Sequence, residues 1–175
     1  MTRKALTMML AGALIMGLTA GAAFAAINCT GGICFGTNDP DTLYGTANVD
    51  NIQGLGGDDT IYGKGSNDFL AGDKAFEQTL RGNDMVYGSA GNDELEGNQD
   101  NDLLVGGPGN DKLNALDGQQ PGTEDTVEGG RGADDVYAND GNEDIINCGR
   151  GTQDIVRYDV GLDTIWNCEV KNPHL

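Results

Sequence analysis

The sequence predicts an all-β solenoid, short strands stacked around one continuous core, because three columns of residues recur in a single nine-residue register. Aspartate recurs at Asp41, Asp50, Asp59 and Asp68, again at Asp84, Asp93, Asp102 and Asp111, and then at Asp125, Asp134, Asp144, Asp154 and Asp163. Two residues after each stands an aliphatic side chain: Leu43, Ile52, Ile61, Leu70, Val86, Leu95, Leu104, Leu113, Val127, Val136, Ile146, Val156 and Ile165. Five residues before it, nine of the thirteen repeats carry glycine: Gly36, Gly45, Gly54, Gly63, Gly88, Gly97, Gly106, Gly129 and Gly149. A strand of about three residues centred on one aliphatic cannot bury it alone, so the repeats must stack to make a core.

In chain order, the first segment stands apart from this pattern. Arg3 and Lys4 precede an apolar run from Ala5 to about Leu18, and small residues follow, ending at Ala23-Phe24-Ala25. This predicts a secretory signal peptide over residues 1–25, cleaved before Ala26, and a secreted, extracellular product. No second hydrophobic segment follows, so no membrane span is expected once the leader is removed. Taking Arg3 and Lys4 from the 10 basic residues leaves 8 against 28 acidic ones, a formal charge of 8 − 28 = −20. Such a chain repels itself and is a poor partner for nucleic acid or anionic membranes. Cations are its natural partners.

Residues 26–35 form an N-terminal cap that carries Cys29 and Cys34, while Cys148 and Cys168 lie near the other end. Four cysteines in an exported chain predict two disulfides. The repeats occupy residues 36–166, interrupted where Asp68 to Asp84 spans 16 residues and Asp111 to Asp125 spans 14. These gaps are read as loop insertions near 72–80 and 115–122. Residues 167–175 remain as a C-terminal tail that holds His174, the one histidine.

The segments "GGPGNDKLN" (106–114) and "GGRGADDVY" (129–137) carry the full pattern: paired glycines, a third glycine two before the aspartate, and the aliphatic two after it. This resembles the nonapeptide of the RTX, or haemolysin-type, calcium-binding family, and the resemblance covers roughly residues 36 to 166. It implies a parallel β-roll in which two nonapeptides make one coil, strands alternate between two facing sheets, and coils stack about 4.8 Å apart. It also implies several Ca²⁺ ions between neighbouring loops, held by aspartates and by backbone carbonyls that glycine leaves exposed. Calcium accepts six to eight oxygens, whereas magnesium needs a stricter octahedron and zinc prefers His or Cys.

In such a roll, loops two repeats apart meet, giving one series through Asp41, Asp59, Asp84, Asp102, Asp125, Asp144 and Asp163, and another through Asp50, Asp68, Asp93, Asp111, Asp134 and Asp154. Thirteen loops in two series allow at most 13 − 2 = 11 inter-loop sites. The expected ligands are Asp50, Asp59, Asp68, Asp84, Asp93, Asp102, Asp111 and Asp134, with the loop glycines Gly57, Gly82, Gly91, Gly109 and Gly132. The best sites lie between Asp93 and Asp111 and between Asp111 and Asp134. "GTNDPDTLY" and "YDVGLDTIW" at the two ends keep the aspartate and aliphatic but lose other positions, which places calcium away from them.

The roll puts Cys148 and Cys168 on adjacent coils, within disulfide reach, and Cys29 with Cys34 would tie off the first coil; other pairings stay open. Tyr44, Tyr62 and Tyr87 fall on one outward face beside Thr42, Thr60, Met85 and Leu103, either as a docking strip for an extracellular protein or glycan or as plain cross-strand stacking covered by the insertion that contains Phe76. Carboxylate pairs such as Asp58-Asp59 and Asp134-Asp135 could in principle serve a hydrolase. They lie inside the repeat loops, where metal ligation accounts for them, so no enzyme is expected. The reading is a secreted calcium-binding repeat protein that folds or rigidifies on binding Ca²⁺, with a calcium-stiffened adhesion protein as the alternative.

Overall fold

The computed structural model describes residues 25–74, 80–118 and 120–174, all of it strand and turn. Sixteen strands follow one another: β1 (Ala25–Asn28), β2 (Gly32–Phe35), β3 (Asp41–Tyr44), β4 (Asp50–Leu55), β5 (Thr60–Gly65) and β6 (Phe69–Asp73). Next come β7 (Met85–Ala90), β8 (Glu94–Glu96), β9 (Leu103–Pro108), β10 (Lys112–Asn114) and β11 (Thr126–Arg131). The last are β12 (Asp135–Ala138), β13 (Ile145–Gly149), β14 (Ile155–Asp159), β15 (Thr164–Trp166) and β16 (Val170–His174). Odd strands form one eight-stranded parallel sheet in sequence order and even strands form the other, which is the predicted β-roll.

The period of two along each strand sets the packing. Aspartate, aliphatic and glycine point inward while the residues between them point out, so β4 reads buried and half-buried in strict alternation. The aliphatic column pairs with itself in both sheets. Leu43 stands beside Ile61, then Val86, Leu104, Val127 and Ile146. On the facing sheet Ile52 leads to Leu70, Leu95, Leu113, Val136 and Val156. All twelve are fully buried, and Ile165 at the C-terminal end is partly so.

The roll exceeds the predicted thirteen repeats by three strands. The cap at 26–35 is two further strands, β1 beside β3 and β2 beside β4, and the tail at 167–175 contains β16, paired with β14. A coil is defined by backbone hydrogen bonds, and these continue past the point where the aspartate and aliphatic signature stops. Disulfides close both ends. Cys29 bonds Cys34 with Cα atoms 5.7 Å apart, and Cys148 bonds Cys168 at 5.1 Å.

Connections from odd to even strands run along one edge of the roll, and connections from even to odd run along the other. Both long connections, β6 to β7 and β10 to β11, belong to the second edge. The first edge keeps "GSAGND", "GGPGND" and "GGRGAD" in stacked succession. The leader at 1–25 falls almost wholly outside the described residues, as does Phe76. Among the described residues, no helix is long and apolar enough to cross a membrane.

Candidate metal centre

Each register aspartate sits where a loop turns into a strand, and it faces inward. From Asp41 to Asp154 these side chains are no more than 3 % exposed. Burying an ionised carboxylate is costly unless its oxygens are matched. From Asp59 onward, one oxygen of each is matched by the neighbouring coil. The N–H of Asp93 donates to Asp111 Oδ1 at 2.8 Å, and that of Asp111 donates to Asp134 Oδ1 at 2.9 Å. The N–H of Asp50 donates to Asp68 Oδ1, and that of Asp68 to Asp93 Oδ1, both at 2.8 Å. On the other edge the same bond links Asp41, Asp59, Asp84, Asp102, Asp125, Asp144 and Asp163 in turn.

The second oxygen is left without a partner. Oδ2 of Asp59, Asp68, Asp84, Asp93, Asp102, Asp111, Asp125, Asp134, Asp144 and Asp154 is buried and accepts no hydrogen bond. Asp41 and Asp50 differ, because Thr37 and Thr46 donate their N–H and hydroxyl groups to Oδ2 within the same loop. Asp50 keeps Oδ1 as its orphan oxygen. The predicted ligands Asp59, Asp68, Asp84, Asp93, Asp102, Asp111 and Asp134 thus share one geometry, and Asp50 departs from it.

Electrostatics follows from this arrangement. Burial pushes Asp59 up to about 8, Asp84, Asp111 and Asp144 up to about 7, and Asp68 and Asp134 up to about 6. Asp125 rises to about 9, and Asp102 also rises well above the ordinary carboxylate range. Nearby carboxylates add to most of these shifts, while the backbone N–H from the adjacent coil opposes them. A column of acids in this state requires either protons or cations.

The loop glycines let adjacent turns close up. A Cβ on Gly91 would lie 1.8 Å from the carbonyl oxygen of Ser66, and one on Gly109 would lie 1.5 Å from that of Gly91. A Cβ on Gly132 would lie 1.6 Å from the Gly109 oxygen, and across the roll one on Gly82 would lie 2.1 Å from the Gly57 oxygen. The orphan Oδ2 atoms lie against the glycines five residues earlier: a Cβ on Gly88 would meet Asp93 Oδ2 at 2.6 Å and the Gly106 carbonyl oxygen at 2.8 Å, so orphan oxygens and backbone carbonyls share this space with no side chain between them. Among the described residues, no three Asp, Glu, His or Cys side chains converge on one point. A cation here would be held by one or two carboxylates together with neutral loop oxygens, which is a donor set that suits calcium.

The structure adds residues that the register reading left aside. Asp125, Asp144 and Asp154 present the same orphan Oδ2, although their loops have lost glycines. Glu169 ends the even column by accepting the Asp154 N–H at 3.1 Å, a role invisible to a period of nine. In the middle coils a second column runs one residue before the aspartate. Asn92 N–H donates to Asn67 Oδ1, Asn110 N–H to Asn92 Oδ1 and Ala133 N–H to Asn110 Oδ1. Asparagine recurring at 67, 83, 92, 101 and 110 was the signal for it.

The RTX calcium-binding nonapeptide repeat model matches residues 35–73, 79–113 and 122–147, more than half of the chain. No curated protein and no solved structure matches it. The matched residues carry every orphan Oδ2 of the register aspartates except that of Asp154, together with the stacked glycines, and the chain belongs to the RTX calcium-binding nonapeptide repeat family.

Proposed function

We propose that the protein is secreted, binds several Ca²⁺ ions between stacked loops, and folds or becomes rigid as they bind. The observation that carries this reading is the row of ten buried Oδ2 atoms without partners. Left ionised and unmatched, they oppose the packing that buries them. An ion bound at a hundred times its dissociation constant adds about 2.7 kcal/mol to stability, so four such ions add about 11 kcal/mol, comparable to the whole stability of an ordinary domain. Calcium outside the cell is abundant enough to act in this way, and the predicted leader would deliver the chain there. The disulfides hold the two end coils without metal, so the ions act chiefly on the middle of the roll.

The test is a calcium titration of the metal-stripped protein, read by far-ultraviolet circular dichroism and calorimetry, with magnesium as control. A cooperative gain of β signal at several Ca²⁺ per chain, absent with magnesium, is the expected result. A full β spectrum in chelator with no heat of binding would overturn the reading.

A second reading, calcium-stiffened adhesion, draws on one observation. Tyr44 and Tyr62 stack with ring centroids 5.3 Å apart and Tyr62 and Tyr87 at 5.0 Å, making a half-buried aromatic strip beside Met85, which is 42 % exposed. Calcium-dependent binding to immobilised extracellular glycans or matrix proteins, lost when Tyr44, Tyr62 and Tyr87 become Ser while ion binding persists, would favour it. Equal binding by the triple variant would reduce the strip to cross-strand packing. The carboxylate pairs give no such support to a hydrolase. Asp59 and Asp134 belong to the buried columns, Asp58 accepts the Asn83 N–H, and Asp135 is held by Arg157 and the Tyr137 hydroxyl. We read the protein as non-catalytic on that basis.

A further inference from the structure

Two aspartates stand outside the nine-residue register and are as deeply buried as those within it. Asp73, the last residue of β6, is 1 % exposed, and Asp117, just beyond β10, is 3 % exposed. Each opens one of the two long connections on the same edge of the roll. In the register aspartates from Asp59 onward one oxygen accepts the N–H of the adjacent coil. In Asp73 and Asp117 both carboxylate oxygens are buried and neither accepts a hydrogen bond. The N–H groups of Gln99 and Gly82 face Asp73 closely enough to offset part of its burial, but neither reaches hydrogen-bonding geometry. The Thr123 hydroxyl is near Asp117 in the same way, and its own Oγ1 is also unpartnered.

The other orphans nearby are oxygens as well. Gln99 Oε1 and Gln120 Oε1 are buried without a donor. Asp100 lies between the two positions and acts electrostatically on both Asp73 and Asp117. Asp100 is itself met by Gln120 Nε2 and by Arg81, but the buried oxygens of Asp73, Asp117, Gln99 and Gln120 have no donor, and acceptors left so call for a cation. Their mixture of carboxylate, amide and hydroxyl oxygen suits a hard divalent ion of flexible coordination better than a nitrogen- or sulfur-seeking one. It also explains why no three acidic side chains need to meet at one point.

We propose that two calcium sites lie outside the nonapeptide register, one centred on Asp73 beside Gln99 and one on Asp117 beside Thr123. Along their edge the repeat pattern thins after Gly57 and Gly82, where Asp100, Thr123 and Asn142 replace the glycine two residues before the aspartate, and the extra carboxylates supply ligands there. This rests on the calcium reading above, and the experiment separates the two.

Equilibrium dialysis against radioactive calcium counts the ions bound by the wild type, Asp73→Asn, Asp117→Asn and the double variant. Each single change should remove one ion and the double change two, with the circular dichroism of the calcium-loaded roll unchanged. The double variant binding as many ions as the wild type would overturn the proposal alone. A wild type that binds none would overturn the calcium reading and this proposal together. Asparagine is isosteric and removes a buried charge, so the variants should fold. As a measurement that needs no variant, crystals of the wild type soaked in a lanthanide should show anomalous peaks beside the Asp73 and Asp117 carboxylates. Peaks confined to the register columns would refute the assignment.

Discussion

Stripped of metal, the protein should lose stability as the pH rises from about 4 to about 9, the reverse of the acid denaturation common among proteins. The sign follows from the buried carboxylates. Their folded-state pKa values lie above the ordinary 3.8, with Asp68 and Asp134 at about 6, Asp111 at about 7, Asp59 at about 8 and Asp125 at about 9. Over that interval the folded state holds more protons than the unfolded chain, so stability is fully present below pH 3.8 and falls as each group ionises. Calcium should remove most of this dependence by taking the protons' place, and its binding near pH 7 should release protons, visible as heats that vary with the buffer. Thermal melts of metal-free protein from pH 4 to pH 9 provide the check. A melting temperature that climbs with pH would mean that the carboxylates are matched in some other way.

The second large effect belongs to a single methyl group. Gly109→Ala would place a Cβ 1.5 Å from the Gly91 carbonyl oxygen, backbone against backbone, where no flexible side chain can yield. The two turns would have to part along the axis, which would break the Asp93 N–H bond to Asp111 Oδ1 and spread the oxygens of the site between them. A loss of about 4 kcal/mol or more is expected in calcium, with weaker ion binding. Gly65→Ala is the control, because its Cβ would meet nothing closer than 3.8 Å, and the change should stay within about 1 kcal/mol. Denaturant melts in calcium decide between them. Equal stabilities would show that the coils stand further apart than described.

Much of this was legible before any coordinates. Leu43, Ile61 and Val86 could be stacked from the period alone because a strand residue has only two faces to choose from, and one of them must be dry. The alternation of series survived both insertions because each adds length within one connection and leaves the order of strands intact. Cys148 and Cys168 could be brought together for the same reason. What could not be read is what depends on the path of the backbone instead of its pattern. β1, β2 and β16 carry no repeat signature yet pair as strands, since an edge of unpaired N–H and C=O groups accepts any extended segment. Asp125 and Asp144 stood outside the expected ligand set, and Gln120 and Asn139 take the place of the glycine five before them, although their carboxylates are held in place by the coil below. Asp73 and Asp117 were hidden inside the insertions because a search in steps of nine passes over them.

The two end disulfides also decide how the molecule would answer a mechanical load. A roll pulled by its termini acts as a spool, each coil leaving as a unit once its backbone bonds to the next have torn. Cys148–Cys168 welds β13 to the segment after β15, so those 20 residues cannot be paid out at the C-terminal end while the bridge lasts. Unwinding under tension is therefore directed toward the N-terminal side, where Cys29–Cys34 secures only a five-residue interval. The coils nearest that end, with the tyrosine stack on their outer face, become the first to yield.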